Sequence, residues 1–265
     1  MKLSIIIPVY NSSSIISILV DNIKEEIAKI QNISSYQIIL VNDCSDDNSW
    51  SEIFKICNNE QFVIGINLMK NYGQHNAIMA GLNFVNGEII ILMDDDLQHD
   101  PIYILNLISE IRNGYDICYT NYINRKHDLY KIMLSEISNF LSSIIINKPF
   151  SLYLSSFKCI NSKIKNKLIK VKDPNIYIDG YMLNFTRNIT SINIEHKERH
   201  SGKSTYNLKK LIKLWINLIL GRSIKSLSFS SITLFLIKII LLPIIIKRFF
   251  YKKLYLQFQI NKKTF

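Results

Sequence analysis

Three consecutive carboxylates follow an apolar run in the stretch EIIILMDDDLQHD, at residues 88–100. Like charges at this spacing repel one another, and burying them is costly unless a cation neutralises them. Mg²⁺ and Mn²⁺ prefer oxygen ligands and are often held by one or two carboxylates together with substrate phosphates. At a strand end, Asp94, Asp96 and Gln98 would face one side and Asp95 another. The stretch therefore predicts a divalent-metal site, with an Asp-rich solvated turn as the alternative.

Polar residues in two further stretches could contact a nucleotide. PVYNSS (residues 8–13) and NDCSDDNS (residues 42–49) each follow an apolar run, as the aspartate cluster does. Asp43 could accept hydrogen bonds from a base or a ribose, while residues 45–47 could cap a following helix. His75, in NYGQHNAIMAG, could meet a ligand or cap a helix. The chain has neither G-x-G-x-x-G nor G-x-x-x-x-G-K-[ST], which argues against a dinucleotide fold and a P-loop.

Arginine side chains are candidates for binding phosphate, because the guanidinium fork can bind two oxygens at once. Arg125 follows the fifth predicted strand, and Arg199 lies in a stretch with glycine and serine. Lys126 and Lys203 accompany them, but each is better explained as ordinary surface charge. The two arginines are therefore the candidate phosphate-binding residues.

The elements that would position these residues alternate along the chain. Apolar runs predict strands at residues 3–9, 37–41, 62–67, 88–93 and 116–120, and helical patterns lie between them at residues 15–30, 50–57, 76–85 and 101–112. Strands separated by such helices indicate a mostly parallel α/β sheet, which binds ligands beyond the carboxyl ends of its strands. After residue 124 the pattern is less regular. LYLSSFKCI and residues 189–195 predict strands, and residues 129–146 and 208–220 predict helices.

Charge is distributed unevenly along the chain. The formal net charge is +11, yet residues 1–198 carry 18 Lys and Arg against 21 Asp and Glu, whereas the remainder carries 14 basic residues and no acidic one. These basic residues are interleaved with aliphatic side chains, which favours an anionic membrane surface over nucleic acid as the partner. The four cysteines form no C-x-x-C pair and are predicted to be reduced thiols of a cytoplasmic compartment.

The basic residues flank an apolar segment, LSFSSITLFLIKIILLPIII, at residues 227–246. About 20 such residues are needed to cross a bilayer core. Lys238 near its middle would cost about 2.5–3.5 kcal/mol, which 14 Leu, Ile and Phe residues could offset at about 0.3–0.6 kcal/mol each. Pro243 would kink a membrane helix without excluding one. We predict a main domain at residues 1–225 and a membrane-anchoring segment at residues 226–265, and the sequence leaves open whether that segment spans the bilayer or lies on it.

Seven stretches of the chain occur together, in this order, in one known family. They are SIIIPVYN, VNDCSDD, NYGQHNAIMAGL, MDDDLQHDP, LYLSSFK, YIDG and ERHSGKSTY. Over about residues 3–225 the chain thereby resembles family 2 glycosyltransferases of the GT-A fold, and in particular the polyprenyl-phosphate glycosyltransferases, which include dolichyl-phosphate mannose synthase and bacterial undecaprenyl-phosphate sugar transferases. The resemblance implies a Rossmann-like GT-A sheet flanked by helices, a nucleotide-sugar donor, Mg²⁺ or Mn²⁺ as cofactor, and a polyprenyl-phosphate acceptor at the membrane.

The resemblance also implies roles for individual residues. The nucleotide would be lined by Pro8, Tyr10 and Asn11, with Asp43 meeting its base. The metal would be held by the D-x-D acids Asp94 and Asp96, with Gln98 beside Asp96. Phosphates would be held by Arg125 and by Arg199 of the R-x-x-G-x-S-x-Y pattern. The chain departs from the family at Asn42, where a paired acid is usual, and at Cys44, where glycine is common.

The expected reaction is inverting, metal-dependent transfer of a sugar to polyprenyl phosphate, for cell-surface glycan synthesis. Because that acceptor is already an anion, it needs no strong base, and Asp179 of YIDG is explained about equally well as a base, as an acceptor-site residue or as a folding residue. The alternative function, addition of a sugar to a growing saccharide, requires Asp179 as the base. The expected location is the inner membrane with the catalytic domain on the cytoplasmic side, and the sequence is compatible with a homo-oligomer.

Overall fold

The computed structural model of the protein describes residues 1–123, 148–149, 152–195 and 258–264. Its strands are β1 (Lys2–Val9), β2 (Ser35–Asn42), β3 (Val63–Leu68), β4 (Ile89–Leu92), β5 (Ile117–Ile123), β6 (Lys158–Asn161), β7 (Ile189–Glu195) and β8 (Ile260–Lys263). Its helices are α1 (Ile16–Ala28), α2 (Ser49–Asn59), α3 (Gln74–Leu82), α4 (Ile104–Arg112), α5 (Ser162–Leu168) and α6 (Ile178–Phe185), and a 3-10 turn at Pro101–Tyr103 leads into α4.

The described strands form one mixed sheet in the order β7-β5-β6-β4-β1-β2-β3-β8. Strands β4, β1, β2 and β3 pair in parallel, as the alternation of strands and helices predicts, and β5 pairs in parallel with β7. Strand β6 lies antiparallel between β4 and β5, and β8 lies antiparallel to β3. The prediction of a mostly parallel sheet is therefore right for β1 to β4, whereas β6 and β8 make the whole sheet mixed.

Both faces of the sheet are covered, which explains why the central strands are apolar without interruption. In β1, Ile5 and Ile7 point into one core, which includes α1 and α4, while Ile6 points into the other, which includes α3 and α6. Helix α1 buries one stripe at helical spacing, made of Ile16, Leu19, Val20, Ile23 and Ile27. At about 25 cal/mol per Å² of buried apolar surface, this two-sided burial is the main stabilising term of the domain.

The strand predicted for LYLSSFKCI is wrong in its first part, because residues 152–157 form neither a helix nor a strand. Ser155 is the physical reason. Its hydroxyl accepts a hydrogen bond from the Thr120 N–H (3.1 Å) and donates one to the Phe157 carbonyl (2.7 Å). A side chain that binds the neighbouring backbone in this way replaces the regular ladder. Pairing with β5 and β4 therefore begins at Lys158.

Strand β8 comes from the far C-terminal part of the chain, which the sequence analysis assigned to the membrane-anchoring segment. The apolar segment at residues 227–246 lies outside the described residues, as do the helices predicted at residues 129–146 and 208–220. Across the four described ranges, no helix combines the length and the apolar character that crossing a bilayer requires.

Candidate active site

The carboxyl ends of β1, β2 and β4 meet at one edge of the sheet. Val9 pairs with Asn42, and the Asp43 N–H donates to the Val9 carbonyl (2.9 Å). On the other side of β1, the Met93 N–H donates to the Ile6 carbonyl (3.2 Å). The polar stretches that follow these three strands are thus neighbours, as the rule for ligand sites in parallel sheets predicts.

The three consecutive aspartates have different environments. Asp95 is the inward-facing member, and its carboxylate accepts hydrogen bonds from the Tyr10 N–H (3.0 Å) and the Ser12 hydroxyl (2.5 Å). Burial raises the pKa of Asp95 to about 6, although these hydrogen bonds oppose the shift. All three residues are partly exposed, and they differ in what their carboxylates contact. Asp95 therefore ties the loop after β4 to the loop after β1, whereas no hydrogen bond described here joins Asp94 or Asp96 to that loop.

Asp94 and Asp96 have the chemistry of hard-cation ligands. Asp94 accepts a hydrogen bond from the Gln74 side-chain amide (2.5 Å), and Asp96 accepts one from the Gln98 N–H (3.1 Å). No group of three His, Cys, Asp or Glu side chains within the described ranges is arranged to hold a metal. Two carboxylates completed by substrate phosphates and water are nevertheless a common Mg²⁺ site. These residues fit a metal that arrives with, or is completed by, a phosphorylated ligand.

A buried histidine holds the aspartate loop in shape. The Nδ1 atom of His99 accepts a hydrogen bond from the Asp94 N–H (3.0 Å), and its Nε2 atom lies 3.3 Å from the Ser156 hydroxyl. The imidazole stacks on the Phe157 ring at 5.1 Å. Between these residues Leu97 has φ +61°, a left-handed conformation that costs a side chain about 1–2 kcal/mol. Sequence reasoning missed His99, and its place directly after the acids was the available signal.

Two of the predicted nucleotide-lining residues join the loops after β1 and β2. Tyr10 is 47% exposed, and its hydroxyl lies 3.4 Å from the Asp46 carboxylate. The Asn11 N–H donates to the Ser45 hydroxyl (3.0 Å), and the Asn11 side-chain oxygen accepts from the Asp46 N–H (2.9 Å). Pro8 is buried within β1. The exposed phenol ring and the two joined loops form a surface on which a flat base could lie.

Asp43 is 4% exposed and holds the turn that precedes α3. Its two carboxylate oxygens accept hydrogen bonds from the Tyr72 N–H (2.7 Å) and the Gly73 N–H (2.8 Å). Burial raises the pKa of Asp43, and these two hydrogen bonds oppose that shift. Gly73 has φ +85°, which suits a residue without a Cβ. The sequence did not indicate this structural role, and the contact between Asp43 and a base stays a prediction.

Asp179 lies in the first turn of α6 and is 4% exposed. Its carboxylate accepts hydrogen bonds from the Lys158 ammonium and from the Tyr119 hydroxyl (2.9 Å), and Lys158 is equally buried. Burial, followed by the charge of Asp179, raises the pKa of Tyr119 well above its usual range. Sequence reasoning missed both partners. The available signal was a lysine inside an apolar strand pattern, because a buried charge requires a partner.

His75 lies beside this ion pair, at the start of α3. Its ring meets the Tyr177 ring edge-on at 5.0 Å, and its buried Nδ1 atom has no hydrogen-bond partner among the described residues. No side-chain capping hydrogen bond is formed at the start of α3. Burial lowers the pKa of His75 to about 4, and the nearby Lys158 adds to the effect of burial against the opposing Asp179. The folded protein thus keeps His75 neutral at pH values at which an exposed histidine is protonated.

We expect this histidine to make the folded state less stable as the pH falls from about 6.5 to about 4. In that window the unfolded chain binds a proton that the folded chain does not, so stability should fall by up to about 1.4 kcal/mol per pH unit. Denaturant unfolding of the wild type and of His75→Gln at several pH values tests this. Between about pH 6.5 and 4, the free energy of unfolding should fall less steeply with pH in His75→Gln than in the wild type. Equal slopes for the two proteins would contradict the prediction.

Arg125 and Arg199 lie outside the described residues. Their predicted contacts with phosphates therefore stay predictions. The described residues bring together Tyr10, Asn11, Asp43, Asp94, Asp96 and Gln98 at one edge of the sheet, while Asp179 lies within the fold in its ion pair with Lys158.

Sequence comparison identifies relatives of known type. Residues 4–178 match the model of Glycosyl transferase family 2. The undecaprenyl-phosphate 4-deoxy-4-formamido-L-arabinose transferase of Yersinia enterocolitica is 35% identical over 219 residues, which make up 82% of this chain and 66% of the relative. The protein of the same name from Yersinia pseudotuberculosis is 34% identical with the same coverage. The chain thus spans 66% of the length of these curated relatives.

Solved structures share the fold. Glucosyl-3-phosphoglycerate synthase from Mycobacterium tuberculosis, in complex with Mn²⁺, uridine-diphosphate-glucose and phosphoglyceric acid, has a TM-score of 0.57 and 14% identity, covering 83% of this chain and 79% of that one. Mannosyl-3-phosphoglycerate synthase from Rubrobacter xylanophilus has a TM-score of 0.61 and 13% identity, covering 87% and 77%. At such identities the likeness concerns the fold, and it confirms the GT-A type of sheet. Since the family model spans β1, the aspartate loop and the strands between them, the chain belongs to Glycosyl transferase family 2.

Proposed function

We propose that the chain is an inverting, metal-dependent glycosyltransferase that moves a sugar from a nucleotide-sugar donor to polyprenyl phosphate. The observation that carries this proposal is the position of Asp94 and Asp96 beside the joined loops after β1 and β2, at one edge of the sheet. A nucleoside diphosphate requires both features side by side, namely a surface for the base and hard ligands for a phosphate-bound cation. The acceptor class is supported by relatives named for transfer to undecaprenyl phosphate.

Each group of residues has a distinct part in this proposal. Tyr10, Asn11 and Asp43 would orient the nucleotide, with Pro8 shaping the end of β1. Asp94, Asp96 and Gln98 would hold Mg²⁺ or Mn²⁺, which supplies positive charge to the diphosphate leaving group. A neighbour of the same fold was crystallised with Mn²⁺ and uridine-diphosphate-glucose. Arg125 and Arg199 would add fixed positive charge beside the phosphates.

The transfer step needs no proton removal. An oxygen of the acceptor phosphate forms a bond to the anomeric carbon while the bond from that carbon to the nucleoside diphosphate breaks. The electron pair of the broken bond leaves with the diphosphate, and the configuration at the carbon inverts. Because the attacking phosphate is already an anion, the protein contributes by positioning both substrates and by stabilising the leaving charge.

The environment of Asp179 favours a phosphate acceptor over a saccharide. A saccharide hydroxyl would need a general base within hydrogen-bonding reach of its proton. Asp179 is buried, and the Lys158 ammonium and the Tyr119 hydroxyl both donate to it. A buried carboxylate that already accepts hydrogen bonds from two side chains is poorly placed to meet a substrate hydroxyl. We therefore assign Asp179 to the fold and not to the reaction.

The C-terminal composition supports attachment to a membrane. The 14 basic residues after Glu198 and the apolar segment at residues 227–246 would hold the protein to an anionic cytoplasmic leaflet. Each basic residue near such a surface contributes about 1 kcal/mol. We propose that the catalytic domain lies on the cytoplasmic side of the inner membrane, where nucleotide sugars and polyprenyl phosphates meet.

A donor and acceptor screen tests the function. Membranes containing the full chain would be incubated with a panel of nucleotide sugars and with either a short polyprenyl phosphate, the matching polyprenol or a saccharide acceptor. We expect transfer to the polyprenyl phosphate, none to the polyprenol that lacks the anion, and loss of transfer in EDTA. Membranes containing Asp96→Ala are the matched control. Transfer to the saccharide alone would replace this proposal with the alternative function.

A further inference from the structure

Strand β8 is an outermost strand of the sheet and is hydrogen-bonded to β3. It pairs with β3 so that Ile66 lies opposite Lys263. The Thr264 N–H donates to the Gly65 carbonyl (2.9 Å), and the Gly65 N–H donates to the Thr264 hydroxyl (2.8 Å). The Lys263 ammonium lies 5.6 Å from the centre of the Phe84 ring. The C-terminal residues 259–264 therefore belong to the same folded body as the aspartate loop.

The strand directions show where the intervening residues leave and rejoin this body. Strand β6 is antiparallel to both β4 and β5, so β5 and its parallel neighbour β7 run in the same direction as β4. Strand β7 therefore ends, at Glu195, on the edge that carries Asp94 and Asp96. Strand β8 is antiparallel to β3, so it begins, at Ile260, on that same edge. Residues 196–257 thus start and finish at the edge of the candidate active site.

We infer that β8 lies on the same side of the membrane as the strands that carry the candidate active site. This inference rests on the membrane attachment in the proposed function. One crossing of a hydrocarbon core about 30 Å thick would put Phe258 on the opposite side of the membrane from β3. The pairing of β8 with β3 requires both on the same side.

The composition of residues 196–257 offers one candidate for a membrane crossing and no second one. A second crossing would need another stretch of about 20 apolar residues. Outside residues 227–246, no stretch of residues 196–257 has that length with as few as one Lys or Arg, so a return crossing has no candidate.

A cysteine already present in the chain provides a test of the β8 contact. Burial raises the pKa of the Cys57 thiol, and the neighbouring Thr264 hydroxyl opposes that shift. A Cβ placed on Gly65 would lie 3.0 Å from the Thr264 hydroxyl and 3.2 Å from the Cys57 sulfur. The hydroxyl and the sulfur therefore both lie next to the same side of Gly65. We expect Thr264→Cys in native membranes to form a disulfide with Cys57 on mild oxidation, seen as a shift on a non-reducing gel and the loss of two free thiols. The variant Thr264→Cys with Cys57→Ser should show neither.

The second arm of the test reports the membrane side of each end. A protease-cleavable tag placed before Met1 and another after Phe265 should both be cut in inverted vesicles and both be protected in spheroplasts. A C-terminal tag that is cut in spheroplasts while the N-terminal tag is protected, with no disulfide in Thr264→Cys, would overturn the inference. Protein recovered in the soluble fraction with the disulfide formed would instead overturn membrane attachment, so the two failures are distinguishable.

Discussion

Asp96→Ala should lower metal-dependent sugar transfer by about 10²–10³-fold, because it removes one of two carboxylates that hold the cation at the leaving group. Asp96 is partly exposed, and its carboxylate accepts a hydrogen bond from the N–H of Gln98, within the same loop. The thermal unfolding midpoint should therefore stay close to that of the wild type. The measurement is the initial rate of transfer as a function of Mn²⁺ concentration.

The neighbouring aspartate supplies the matched control. Asp95→Ala would leave the Tyr10 N–H and the Ser12 hydroxyl without their common acceptor. Leaving such groups unpaired costs about 1–3 kcal/mol, so this variant should lose stability instead of metal affinity. Wild-type transfer that persists in EDTA would refute the metal assignment. So would an Asp96→Ala variant that loses as much stability as Asp95→Ala.

Lys158→Met is expected to lower the free energy of unfolding by about 3–5 kcal/mol, because it leaves the Asp179 carboxylate buried without its cation. The double variant Lys158→Met, Asp179→Leu should recover part of that loss, since an apolar pair of similar volume can replace a buried ion pair at little or no cost. The recovery is incomplete because the buried Tyr119 hydroxyl loses its acceptor, which costs about 1–3 kcal/mol. Denaturant unfolding of the wild type, the single variant and the double variant measures both effects. Equal losses in the single and double variants would show that packing, and not the ion pair, determines stability there.

The double variant also separates the two candidate functions. If Asp179 belongs to the fold, a folded Lys158→Met, Asp179→Leu protein should still transfer sugar to polyprenyl phosphate, as no base is needed. A double variant that folds as the wild type does but transfers nothing would identify Asp179 as the base. The saccharide-acceptor function would then replace the one proposed.

Local patterns in the sequence were sufficient to predict the central fold and the place of the site. The strands β1 to β4 and the helices between them follow from hydrophobic periodicity, which depends on near neighbours in the chain. Because these units form a parallel sheet, the stretches after β1, β2 and β4 had to share one edge. The aspartate cluster was recognisable for the same reason, since three carboxylates after an apolar strand call for a cation or for solvent.

Contacts between distant parts of the chain were decided by the tertiary structure alone. Asp95 found its hydrogen-bond partners on the loop after β1, and Asp179 was paired with side chains of β5 and β6. Hydrophobic periodicity cannot predict such pairs, because the two residues of each pair are about 20 to 85 positions apart in the chain. The order of the strands in the sheet determines whether they come into contact. The same holds for β8, whose short polar sequence has little strand character and which forms a strand because the open edge of β3 offers it unpaired backbone groups.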